Sequence, residues 1–236
     1  MSTAVPATPD AATSAAAAGD DAPCRGAQWS VILLLGINLF NYVDRQVLSA
    51  VESKIEDTFH ITQAQMGWAA TAFLLSYMVI SPIFGWLADR MSRWVIVAIG
   101  VVVWSLASGG TGLAGTFAVL LITRCFVGVG EAAYGPVAPT ILSDLYPVKH
   151  RGRILSWFYL AIPVGSALGY VLGGMLYDHF HDWRPAFYAV VPPGILLGVW
   201  ALFMKDPKPP ASDVGAANST RRARTPWPRI PAWRSA

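Results

Sequence analysis

The sequence predicts an all-α membrane protein of six transmembrane helices, and three observations carry that prediction. Only 13% of the 236 residues are charged while 54% are hydrophobic, against roughly 25% charged in a soluble domain. Six apolar runs, each close to the ~20 residues that cross a bilayer core, lie at 29–51, 66–88, 94–114, 117–141, 154–177 and 186–204. The connections between them are short, and all but two of the Lys and Arg, Arg45 and Arg124, lie outside the runs. The same composition excludes a cytosolic enzyme and a nucleic-acid binder, so membrane lipid, not nucleic acid, is the expected surrounding partner.

Taken in order, residues 1–27 are rich in Ala, Thr, Pro and Ser with Asp10, Asp20 and Asp21. Lacking large apolar side chains to offset ordering entropy, they are expected to form a disordered cytoplasmic tail. No basic segment precedes an apolar core there, so nothing reads as a secretory signal. Residues 28–204 form the expected six-helix bundle. Its first run carries Asp44 and Arg45, its second ends in a charged turn at 85–93, and its third holds no charged residue. The fourth carries Arg124 and Glu131 with Pro136 and Pro139, and the fifth carries three glycines around Pro163. The sixth closes the bundle. Residues 205–236, Pro-rich with five arginines between 221 and 234, are expected to be a disordered basic tail able to touch anionic lipid.

Orientation follows from the basic residues, which favour the cytoplasmic side. With a cytoplasmic N-terminus that side holds Arg25, Arg90, Arg93, Lys149, Arg151, Arg153, Lys205 and Lys208, against Lys54 and Arg184 opposite. Both termini are therefore expected in the cytoplasm. Trp29, Trp94, Trp157, Trp183 and Trp200 fall near run ends, where amphipathic rings favour the headgroup layer. Cys24 and Cys125 lie far apart, and His60, His150, His179 and His181 fall between runs. No metal-ligand spacing results, and neither metal nor cofactor is expected.

Ionisable groups inside a span are costly and by default functional. Asp44, Arg45, Arg124 and Glu131 qualify, and their formal charges cancel, as suits a low-dielectric site. Arg124 and Glu131 are seven residues apart, about 700° of helix, and share a face. Counting about 1.5 Å per residue from each run end places Asp44 level with Arg124 and Glu131 nearer the cytoplasm. The expected arrangement pairs Asp44 with Arg124 and turns Glu131 into a water-filled cavity, where it takes up a proton; a purely structural ion pair is the competing reading.

Gly128 and Gly130 in the fourth run, and Gly165, Gly169 and Gly173 at four-residue spacing in the fifth, are expected to set helix packing. Pro136, Pro139 and Pro163 are candidate kinks. In the turn from Gly85 to Arg93, Asp89 is expected to cap a neighbouring helix end or pair with Arg153. Together with Arg90 and Arg93 it is read as a cytoplasmic gating latch.

These motifs resemble the major facilitator superfamily. Residues 85–93 resemble its signature Gly-x-Leu-x-Asp-Arg-x-Gly-Arg, with Ser92 at the second glycine, and Arg124-x-x-x-Gly128-x-Gly130-Glu131-Ala132 resembles its fourth-helix motif. Within it the chain resembles the Spinster family, through Asn41-Tyr42-Val43-Asp44-Arg45, Ser76-Tyr77-Met78, Ala138-Pro139-Thr140 and Phe158-Tyr159-Leu160-Ala161-Ile162-Pro163. The resemblance covers about residues 30–204, one six-helix half of a twelve-span fold. It implies alternating access, proton or charge coupling through Asp44, Arg45, Arg124 and Glu131, and a small amphipathic substrate such as an organic anion or lysolipid. It also implies a multi-pass place in a cell membrane, the bacterial inner membrane in particular.

The leading expectation is thus the N-terminal half of a proton-coupled secondary transporter. Because the substrate cavity of such folds lies between two halves, a truncated or shifted reading frame is expected ahead of a working half-transporter. A second copy, or a complementary six-helix half, would supply the missing wall. A non-transporting membrane partner is the rival. An intramembrane protease is disfavoured, since no His lies within a run and Ser166 has no visible base.

Overall fold

The structure, a computed structural model, describes residues 26–206. Nearly all of the tails expected at 1–27 and 205–236 lies outside the described residues. Among the described residues seven helices follow in order: α1 Ala27–Phe59, α2 Gln63–Ala88, α3 Arg93–Gly112, α4 Phe117–Tyr134, α5 Val137–Leu145, α6 Val148–Phe180 and α7 Arg184–Leu202. Six stretches are long and apolar enough to cross a membrane, with α4 and α5 together supplying the fourth, Phe117–Leu145. An even number of crossings returns the chain to the face on which it began.

Sequence chemistry sets the boundaries. Thr62 opens α2 with a capping box, its hydroxyl accepting from Gln65 N while Gln65 Oε1 accepts from Thr62 N at 2.8 Å, which satisfies two otherwise orphaned donors. Thr116 caps α4 by accepting from Val119 N at 3.3 Å. The fourth crossing breaks at Gly135-Pro136, where proline cannot continue the hydrogen-bond ladder. Pro163, by contrast, sits inside an unbroken α6. Both α1 and α6 run 33 residues, longer than their apolar runs, because the amphipathic turns beyond the bilayer core remain helical.

Packing is dominated by α1 on α6, α3 on α7, and α4 between α2 and α3. Gly165, Gly169 and Gly173 lie directly on α1: a methyl group at Gly165 would sit 2.6 Å from the Leu39 carbonyl, and one at Gly169 2.8 Å from Val43 Cα. Gly130 meets α3 in the same way, 2.6 Å from Trp104 N, and Gly128 turns to Phe73 and Ser76 of α2. Gly174, adjacent to the stripe, has open space. Gly169→Ala is therefore expected to destabilise the bundle by about 1–3 kcal/mol, the range for overpacking, whereas Gly174→Ala is expected to be neutral or slightly stabilising. Thermal unfolding of the two variants in detergent checks this.

Two apolar clusters fill the bundle ends. One gathers Leu33, Ile37, Trp94, Trp104, Ile141 and Phe158, the other Val47, Val51, Leu120, Trp183 and Phe187. Trp94 and Trp183 are therefore buried core side chains, 0% and 2% exposed, while Trp29 and Trp157 are exposed as a headgroup belt requires. Trp183 is held inside by its own polar atom, Nε1 donating to Thr58 Oγ1 at 3.1 Å. Between the clusters lies a layer of buried polar groups: Asn38, Asn41, Asp44, Ser108, Arg124 and Glu131 among them.

Candidate functional site

The side chains of the polar layer come from three helices, α1, α3 and α4. α1 presents Asn38, Asn41 and Arg45 at helical spacing, so all three face one cavity, and Asp44, about 100° away, turns toward α3. Asn38 Nδ2 donates to the Phe158 carbonyl of α6 at 2.7 Å, and Tyr134 of α4 donates to the Leu34 carbonyl at 2.9 Å. These two bonds fix α1 against α6 and α4 just below the charges.

The ion pairing differs from the sequence expectation. Glu131 does not stand alone: Arg45 Nε donates to Glu131 Oε2 at 2.8 Å, and the adjoining Nη2 bonds the same oxygen. Glu131 is 1% exposed, whereas the Arg45 side chain is 34% exposed. Asp44 makes no contact ion pair with Arg124. Its Oδ1 instead accepts from Ser108 Oγ, and Arg124 Nη2 donates to Thr111 Oγ1 at 2.8 Å. Depth counting along helix axes places Cα atoms; it misses a long guanidinium that reaches along the bundle to a carboxylate at another level.

Aromatic rings flank the exposed guanidinium. Arg45 Cζ lies 4.7 Å from the Phe73 ring centroid and 5.5 Å from that of Tyr42, within the range of cation–π attraction. Arg45, Glu131, Asn41, Tyr42, Tyr77 and Tyr159 line a cavity of about 150 Å³ that opens from the bundle. The break at Gly135 contributes to its shape, because the Tyr77 hydroxyl occupies the place a side chain at Gly135 would need. The other carboxylate oxygen, Glu131 Oε1, accepts no hydrogen bond of good geometry among the described residues. The site thus offers a fixed acid, a half-exposed cation and aromatic walls.

Sequence reading did not single out Asn38, Tyr42, Tyr77, Tyr134 or Ser108 as site residues. For α1 a signal existed: polar residues at 38, 41 and 45 fall on one face of an apolar run.

At the opposite end of α4–α5 the expected latch is only partly assembled. Arg93, the first residue of α3, donates from Nη1 to Asp144 Oδ2 of α5 at 2.6 Å. Asp89 neither caps a neighbouring helix nor meets Arg153: it follows the last residue of α2 and is exposed, and Ser92 precedes α3 without a side-chain cap. Arg90 folds back on its own helix, Nη1 donating to the Trp86 carbonyl at 3.1 Å with Cζ 3.9 Å from that ring. Gly85 has open space around it, and Arg153 is exposed. The cross-helix contact of the motif therefore runs from Arg93 to Asp144, a residue beyond the expected end of the fourth run. Both side chains are partly solvated, so Arg93→Ala is expected to lower stability by less than about 1 kcal/mol, read from thermal unfolding.

Comparison with known proteins places this geometry. The family model of the Major Facilitator Superfamily matches residues 34–236. Protein spinster homolog 1 of Rattus norvegicus is 43% identical over 187 residues, covering 78% of this chain and 35% of its own length. The crystal structure of a bacterial homolog to the human lysosomal transporter Spinster, inward-facing and occupied, aligns with a TM-score of 0.70 at 27% identity. It covers 79% of this chain and 46% of that one. A D-xylose-proton symporter shares the fold at 18% identity, with a TM-score of 0.63 and 82% of this chain covered. The chain spans about 35% of the length of the curated relative.

Proposed function

The chain belongs to the major facilitator superfamily, and on that premise we propose that it is a six-helix half of a Spinster-type secondary transporter, coupling substrate movement to protons through Asp44, Arg45, Arg124 and Glu131. The observation that carries the reading is the Arg45–Glu131 pair in the wall of an open cavity. A buried carboxylate whose counter-charge is half-exposed is a two-state element. When Arg45 turns toward an anionic substrate group, Glu131 loses its partner and is driven to take up a proton, since an isolated buried charge is far costlier than a neutral acid. When the substrate leaves, Arg45 returns and the proton is released.

The same wall suggests the substrate class. Arg45 offers Nη1 to an anion while Phe73, Tyr42, Tyr77 and Tyr159 surround it with apolar and aromatic surface. That combination suits an amphipathic organic anion or a lysolipid-type molecule. Arg93 and Asp144, with Gly85, Asp89, Arg90 and Arg153 nearby, are assigned to the cytoplasmic gate, and both ends of the bundle to the cytoplasm, in a cell membrane. The opposing cavity wall is assigned to a second six-helix half or a second copy. It faces α2, whose most apolar window is not buried within the bundle.

The test is uptake by liposomes containing the protein, with a fluorescent lysophospholipid outside and a pH gradient of one unit. Lysophospholipid-dependent collapse of the gradient, followed with a trapped pH dye, is the expected result. Uptake that ignores the gradient would remove the proton from the reading, and no uptake of any anionic amphiphile would remove the substrate class.

A further inference from the structure

Ser108 and Thr111 stand three residues apart on α3 and are both fully buried. A hydroxyl in an apolar helix ordinarily satisfies itself on a carbonyl of the preceding turn, as Ser105 does on Val101 at 2.7 Å. Ser108 departs from that habit and spends its proton on Asp44 of α1. Thr111 lies 3.2 Å from the Ala107 carbonyl and 2.9 Å from Thr123 Oγ1, and its oxygen accepts from Arg124 Nη2 of α4 at 2.8 Å. A span without a charge of its own beyond its first residue thus grips both members of an oppositely charged couple. Asp44 Oδ2 and Arg124 Nε remain unpartnered, buried acceptor and donor that do not close on each other.

We infer that Ser108 and Thr111 are positioning residues that hold the Asp44–Arg124 couple open, so that its strength is set by two hydroxyls of α3 and not by direct contact. The inference rests on the coupling role proposed above for Asp44. Among the described residues, the charged side chains that bear on Asp44 are Arg124 and Glu131 of α4 and Arg45 of its own helix. From α3 it meets a hydroxyl. The two hydroxyls act in opposite senses. Ser108 donates to the ionised carboxylate and favours it. Thr111 restrains the guanidinium that would favour it further if released.

Opposite displacements are therefore the signature. In the protein reconstituted in liposomes, Ser108→Ala is expected to move the midpoint of the pH profile of lysophospholipid uptake about one unit to higher pH, tenfold in proton affinity. Thr111→Val, which frees Arg124 to approach, is expected to move it to lower pH. Infrared difference spectra of the same preparations, with the Asp44 carboxyl band assigned by its loss in Asp44→Asn, should show the same two displacements without relying on transport. A carboxyl band that titrates unchanged in both variants, or moves in one direction in both, overturns the inference. Opposite infrared displacements in a protein whose uptake ignores pH would sustain the positioning role while removing the coupling reading. A purely structural role would lower thermal stability and leave both midpoints in place.

Discussion

Glu131→Gln is expected to abolish accumulation driven by a pH gradient while leaving substrate exchange across the membrane. The reasoning is arithmetic before it is structural. One coupled proton moving down a gradient of one pH unit supplies about 1.36 kcal/mol, enough for tenfold accumulation of substrate. A glutamine at 131 keeps the shape and a carbonyl oxygen facing Arg45, where Nε now donates to Glu131 Oε2 at 2.8 Å, but it carries no exchangeable charge. The accumulation ratio should fall from about ten to about one, with counterflow of labelled against unlabelled substrate retained. Arg45 is left without its anion, yet its half-exposed side chain can be hydrated from the cavity, so folding should be little affected. Undiminished gradient-driven accumulation by Glu131→Gln would assign the proton elsewhere, with Asp44 the next carboxylate in the layer.

How far this site can be read from sequence depends on which physical scale each feature uses. The spans were legible because a run of about 20 apolar residues is a long, redundant signal; the six structural stretches overlie the six runs. The four charges within the spans were legible for the same reason in reverse, since Asp44, Arg45, Arg124 and Glu131 interrupt apolar surroundings. Their partners were not. Asp44 and Arg45 are sequence neighbours that a helix turns about 100° apart, sending one to Ser108 on α3 and the other to Glu131 on α4. Choosing between those directions needs the packing order of the helices, which no periodicity encodes. Ser108 and Thr111 were silent because a hydroxyl within a span normally bonds its own helix. Asp144 gives no such signal because the fourth apolar run ends at 141, three residues short of it, while α5 continues to Leu145. Trp94 and Trp183 sit where belt residues sit, and only tertiary packing turns them inward.

Arg45→Ala is expected to be the most damaging single substitution in the cavity wall, and the damage should be reversible by a second one. Removing the guanidinium leaves Glu131, 1% exposed, without the two bonds it receives. Breaking a buried pair by deleting one partner typically costs about 3–5 kcal/mol, because the survivor is an uncompensated charge. The opposite deletion is gentler, for the surviving Arg45 reaches water. The asymmetry follows from the unequal exposure of the two partners, and it separates an ion pair placed in a cavity wall from one sealed in a core. Adding Glu131→Gln to Arg45→Ala removes the stranded charge, and the double variant should regain most of the lost stability. The Glu131→Gln exchange would thus stabilise the Arg45→Ala background while doing little in the parent. A thermal unfolding series of the parent, both single variants and the double variant, measured in detergent at neutral pH, reads that coupling directly. The Arg45→Ala variant should also be restored by acid, since protonating Glu131 neutralises the same charge. Unfolding midpoints that simply add, at neutral and at acid pH alike, would show that the two side chains do not hold each other and that the cavity needs a different source for its charge.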